Sequence, residues 1–98
     1  KWTGHFLAST DVPRKQLKIE GAEHIAWFES SKKVRRGFCS ACGASLFFDP
    51  LDREKHAWIG VAMGAFDTPT DTRLALHIFV AEKGDYYDIG DGLPQNPY

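Results

Sequence analysis

Sulfur is scarce in this sequence: two cysteines and one methionine in 98 residues. Two cysteines cannot staple a secreted disulfide scaffold, and a spacing of only two residues between them points instead to metal or redox chemistry. A dominant charge is missing as well. Twelve basic and thirteen acidic side chains leave a formal net charge of -1, which removes the general electrostatic reason to expect a nucleic-acid partner or an anionic membrane. No apolar stretch approaches the roughly 20 residues of a membrane helix, and no basic, apolar, small-residue signal opens the chain. The reading is a cytoplasmic protein with neither a membrane nor a nucleic-acid partner. The first residue is Lys1 rather than Met, which reads as a fragment or a processed form.

What is present is enough to build a core. Apolar residues make up 43% of the chain and aromatics 13%, so residues 1–98 are expected to form one domain that a metal would further stabilise. The pattern along the chain is one of short strands. From Gly4 to Thr10 the β-prone residues His5, Phe6, Leu7 and Thr10 form a strand that ends at a turn signal, Asp11-Val12-Pro13. Leu17 to Glu20 alternates apolar and polar before Gly21, Ile25 to Phe28 forms another strand, and Val34 to Phe38 follows a polar loop. Ser45 to Phe48 stops at Asp49-Pro50, and Ala57 to Ala62 is β-rich around Gly60. Leu74 to Val80 is the strongest apolar run, Tyr86 to Ile89 suggests a last strand, and the Gly- and Pro-rich tail is irregular. With no sustained helical period, the class is all-β with short antiparallel strands.

The chemistry centres on Phe38-Cys39-Ser40-Ala41-Cys42-Gly43. A Cys-x-x-Cys on a tight turn brings two sulfurs to one side, and a following Gly can take the left-handed backbone that closes the knuckle. Zinc prefers four tetrahedral ligands, so Cys39 and Cys42 supply half of a structural site. The histidines are His5, His24, His56 and His77, none close in sequence to another, which argues against a zinc finger. Two other readings of the pair are buried inert thiols and a thioredoxin-type redox couple; the second requires a helix start in an α/β fold, which this chain does not suggest.

Several segments together resemble the glutathione-dependent formaldehyde-activating enzyme family, which also includes centromere protein V. They are Ser30-Ser31, the run from Arg36 through Cys39 and Cys42 to Leu46, the run from His77 to Tyr87, and Asp91-Gly92-Leu93-Pro94. The resemblance implies an all-β fold called a β-tent, carrying two zinc ions. It implies that Cys39 and Cys42 match the later half of the structural site, whose other half is an early Cys-x-Cys. The substrate-facing zinc of the family is held by a Cys-x-Cys-x-x-Cys run between those motifs, and Lys1-Trp2-Thr3-Gly4 looks like the stretch that follows that run. Neither upstream motif occurs in these 98 residues, so both are expected to precede Lys1. The activity implied is that of a carbon-sulfur lyase, with a glutathione-like thiol and an aldehyde combining to give an adduct such as S-hydroxymethylglutathione. The alternative is a non-catalytic zinc-stabilised β module for binding or scaffolding, since no complete catalytic constellation can be assembled from the residues printed.

Other residues carry plainer expectations. His77, inside the apolar run, reads as a satisfied core histidine. His5 is a candidate for facing a substrate pocket, with an ordinary surface position as its alternative. Lys32, Lys33, Arg35 and Arg36 form a basic cluster that could attract the carboxylates of a peptide thiol, although a solvated loop explains them equally simply. Trp2, Trp27 and Trp58 are expected mainly in the core, one of them lining a pocket. Asp85, Asp88 and Asp91 are too interrupted by aromatics to read as a calcium loop.

Overall fold

The computed structural model describes residues 3–98, so the expectation for Trp2 lies outside the described residues. Five antiparallel strands form one sheet, in the order β1-β5-β4-β3-β2: β1 Ser9–Pro13, β2 Ile25–Glu29, β3 Val34–Cys39, β4 Ser45–Pro50 and β5 Trp58–Ala62. The fold is therefore all-β, with only single-turn 3-10 segments added among the described residues, Arg14–Gln16 and Ala22–His24 being two of them. Among the described residues no helix is long and apolar enough to cross a membrane. The chain divides into two compact units. One is built from Ser9–Thr68 and contains the whole sheet; the other combines the start of the chain, described from residue 3 to Ala8, with Pro69–Tyr98.

In the sheet unit, strand pleating sorts the side chains. The cross-strand pairs Val12↔Ile59, Phe47↔Val61, Gly37↔Phe47 and Trp27↔Gly37 carry one face across the sheet, and Phe47, Ile59 and Val61 form its buried centre. Trp27 lies against that centre, its ring stacked on Phe47 at 6.0 Å between centroids. It can do so because position 37 has no side chain: a Cβ there would stand 2.8 Å from the Trp27 ring. The opposite face holds Arg36, Phe48 and Trp58, with Phe48 and Trp58 stacked at 6.3 Å and the Arg36 guanidinium 5.3 Å from the Phe48 ring centre.

Four expected strands are present, the strand expected from Gly4 to Thr10 begins only at Ser9, and four further expectations need correction. Asp11-Val12-Pro13 is the paired end of β1 rather than a turn. Pro13 is tolerated because β1 is an edge strand and this is its last residue, opposite Trp58. Leu17 to Glu20 joins no ladder, because the 3-10 turn at Arg14–Gln16 carries the chain off the sheet edge. Leu74 to Val80 is not a strand: its one pairing is an isolated parallel bridge, His77↔Gln95, and Phe79 takes a left-handed φ of 54° that ends any extension. Tyr86 to Ile89 is also irregular.

Candidate functional site

The cysteine turn sits where β3 ends. Ile25↔Cys39 is the last pair of the β2–β3 ladder, and the Cys39 N–H donates to the Ala44 carbonyl at 2.9 Å. The Gly43 N–H then closes the knuckle on the Cys39 carbonyl at 2.8 Å, with Gly43 at φ 78°, the left-handed backbone the sequence anticipated. Within the turn, both the N–H and the hydroxyl of Ser40 donate to the His24 carbonyl at 2.8 Å, tying the knuckle to the short turn before β2.

Both cysteines are free thiols, Cys39 half-buried and Cys42 exposed. The turn aims amide protons at one sulfur. Hydrogen bonds from the backbone N–H groups of Cys42 and Ala41, followed by one from the Cys42 thiol, hold the Cys39 thiol below the ordinary thiol range against a small opposing effect of burial. Stabilised thiolate character and two converging sulfurs suit two positions of a zinc tetrahedron. Among the described residues no group of three or more His, Cys, Asp and Glu side chains comes together to hold a metal ion, so the fit extends to half of a ligand set.

The histidines go elsewhere. In the unit formed by the two ends of the chain, His77 is buried, and its Nε2 lies 2.7 Å from Asp91 Oδ2. Its backbone is clamped as well: the His77 N–H donates to the Pro94 carbonyl, and the Asn96 N–H donates to the His77 carbonyl, both at 2.8 Å. The hydrogen bond from His77 and a second from the Leu93 N–H keep the Asp91 carboxyl below its usual range. His77 is thus a satisfied structural histidine. His5 is exposed and its ring packs between Phe6 at 4.5 Å and Tyr87 at 4.2 Å, the arrangement of a surface aromatic cluster.

The basic cluster is divided by the strand pleat. Arg36 turns to the face of Phe48 and donates to Ser30 Oγ at 3.2 Å, while Arg35 turns to the opposite face and donates from Nε to Asp49 Oδ2 at 2.6 Å. Lys32 and Lys33 stay in the exposed turn. In sequence Asp49 marks a strand stop, yet it is the most buried charged residue described, 1% exposed, and three guanidiniums converge on it. Arg14 Nη1 reaches Oδ1 at 2.6 Å, and Arg53 Nη2 joins Arg35 on Oδ2 at 2.9 Å. Burial pushes the Asp49 carboxyl up, but the hydrogen bonds from Arg35 and Arg14 and the charges of Arg14 and Arg53 outweigh it and leave the group below the usual carboxylate range.

An antiparallel β sheet with a Cys-x-x-Cys-Gly turn at the end of β3 defines a small all-β domain. The particular family follows from comparison: the family model described as glutathione-dependent formaldehyde-activating enzyme matches residues 1–82. The chain belongs to this family. No curated protein and no solved structure matches it.

Proposed function

We propose that the chain is the scaffold of a zinc-dependent carbon-sulfur lyase that acts on a glutathione-like thiol and an aldehyde, their adduct being of the S-hydroxymethylglutathione type. The observation that carries the proposal is the family match across residues 1–82, which includes the cysteine knuckle. Cys39 and Cys42 hold two positions of a structural zinc, and its remaining ligands come from outside the described residues. In this family's chemistry a bound zinc supplies thiolate near neutral pH by lowering the pKa of a thiol. Within this chain, the knuckle's backbone N–H groups steady the Cys39 sulfur, and the bond network around His24, Ser40 and Ala44 holds both cysteines in place. Both compact units belong, on this reading, to a single β-tent domain acting in the cytoplasm.

The second reading is a non-catalytic zinc-stabilised β module, in which Cys39 and Cys42 at the end of β3 serve only to brace the turn. One assay separates the two. Purified protein is mixed with glutathione and formaldehyde, and adduct formation is followed against the uncatalysed rate. Acceleration proportional to protein concentration supports the lyase; an unchanged rate with zinc present supports the module.

A further inference from the structure

Asp49 is the pivot of a pocket whose charge it does not balance. Arg14, Arg35 and Arg53 all face this one carboxylate, so three positive charges meet a single negative one. Arg14 is fully engaged: Nε donates to the His56 carbonyl at 3.1 Å, Nη1 to Asp49 at 2.6 Å and Nη2 to the Pro50 carbonyl at 2.8 Å. Its role is to tie Asp49 to the segment after β4. Arg35 gives only its Nε and Arg53 only one terminal nitrogen to Asp49. The other N–H groups of both side chains have no protein acceptor among the described residues.

Arg35 and Arg53 line an open pocket of about 190 Å³. Its walls are Leu17, Ile19, Trp27 and Ile59 together with the arginines and Asp49. Arg35 stacks there with its guanidinium carbon 3.9 Å from the Trp27 ring centre, a contact that orients its planar fork. Glu29, the cross-strand neighbour of Arg35, makes no ion pair with it. Apolar walls with convergent guanidinium donors and surplus positive charge are the complement of an oxyanion on a short apolar body. The volume is below the roughly 300 Å³ of a pocket that encloses a drug-sized ligand, so it suits a small acid or the acidic end of a larger molecule.

We propose that this pocket binds a small organic carboxylate, with the oxyanion on the spare N–H groups of Arg35 and Arg53 and the apolar body against Leu17, Ile19 and Ile59. The proposal is independent of the zinc reading, because Cys39 and Cys42 take no part in the pocket. The carboxylate belongs either to a free acid or, resting on the function proposed above, to the end of glutathione, and the experiment distinguishes them. Butyrate, its neutral amide butyramide, and glutathione are titrated into the protein while the Arg35 Nε–H and Trp27 indole signals are followed by heteronuclear NMR. Saturable shifts with butyrate or glutathione and none with butyramide are expected, and whichever acid saturates at lower concentration identifies the source. Arg53→Gln removes the most exposed of the three arginines and leaves Arg14 and Arg35 on Asp49; it should weaken binding about tenfold, as expected for loss of one hydrogen bond to a charged group. Arg35→Lys keeps the positive charge but removes the fork, and should weaken binding comparably. Equal shifts from butyrate and butyramide, no saturation with either acid, or unchanged affinity in both variants overturns the proposal.

Discussion

Replacing Asp49 with Asn tests the network that organises the sheet unit. The substitution keeps the shape and removes the charge, leaving three guanidiniums around a neutral amide. Asp49 is 1% exposed, and its partners' side chains are 20%, 33% and 50% exposed, so the partners retain part of their hydration. Breaking a fully buried ion pair from one side costs about 3–5 kcal/mol. Solvent around Arg53 and Arg35 places the expected loss at the lower end, about 3 kcal/mol. A domain of this length has only about 5–15 kcal/mol of stability in total, so the variant should unfold at clearly lower denaturant. The assay is urea denaturation followed by tryptophan fluorescence, comparing midpoint and slope. The pH dependence gives a second readout. Because the folded pKa of Asp49 is depressed, its stabilisation is fully present above its unfolded value near 4 and is lost as pH falls through the lower folded value. Asp49→Asn should therefore flatten the acid side of the stability profile, with the part contributed by Asp91 remaining. A loss under about 1 kcal/mol with an unchanged acid limb would refute the reasoning.

Gly37→Ala should destabilise by about 1–3 kcal/mol, since the new methyl group would stand 2.8 Å from the Trp27 ring and 3.2 Å from Phe47; thermal melts and the fluorescence of the displaced indole report it. Gly43→Ala should cost roughly 1 kcal/mol without any packing clash, because φ 78° disfavours a Cβ while nothing lies within 4 Å of it; denaturation at matched zinc content measures this. Chelation of zinc should lower the melting temperature of the unmodified protein and leave that of the Cys39→Ser/Cys42→Ser double variant unchanged, which paired calorimetric scans with and without chelator will show.

The sheet was legible where local pattern and tertiary role agreed. Val34–Cys39, Ser45–Pro50 and Trp58–Ala62 read as strands because β-prone residues run between clear breaks, and all three lie in the interior of the sheet. Pro13 misled because proline usually marks a stop, whereas an edge strand can end on one. Leu74 to Val80 misled in the opposite sense. Leu74, Leu76, Ile78 and Phe79 are apolar yet exposed, 42% to 57%, and no neighbouring strand accompanies them. Hydrophobic content alone did not supply a pairing partner.

The candidate site divides in the same way. The cysteine knuckle is a local motif, and its glycine, its turn hydrogen bonds and its converging sulfurs could be anticipated from six consecutive residues. The Asp49 centre could not, because Arg14 and Arg35 lie 35 and 14 residues away in sequence and only the register of the sheet brings them together. One sign was available: an aspartate at the end of an otherwise apolar strand, in a chain with arginines to spare. Arg35 and Arg36 read as one patch in sequence, and the two-residue period of a strand sends them to opposite faces.

The claim on which the account turns is that Cys39 and Cys42 are zinc ligands in a protein of the glutathione-dependent formaldehyde-activating enzyme family. The most direct measurement is zinc X-ray absorption on the natively purified protein, with metal content determined per chain. Bound zinc with sulfur neighbours at about 2.3 Å is expected, and loss of that zinc in the Cys39→Ser/Cys42→Ser double variant. Absence of zinc, or zinc retained with the same sulfur shell after both cysteines are replaced, would contradict it.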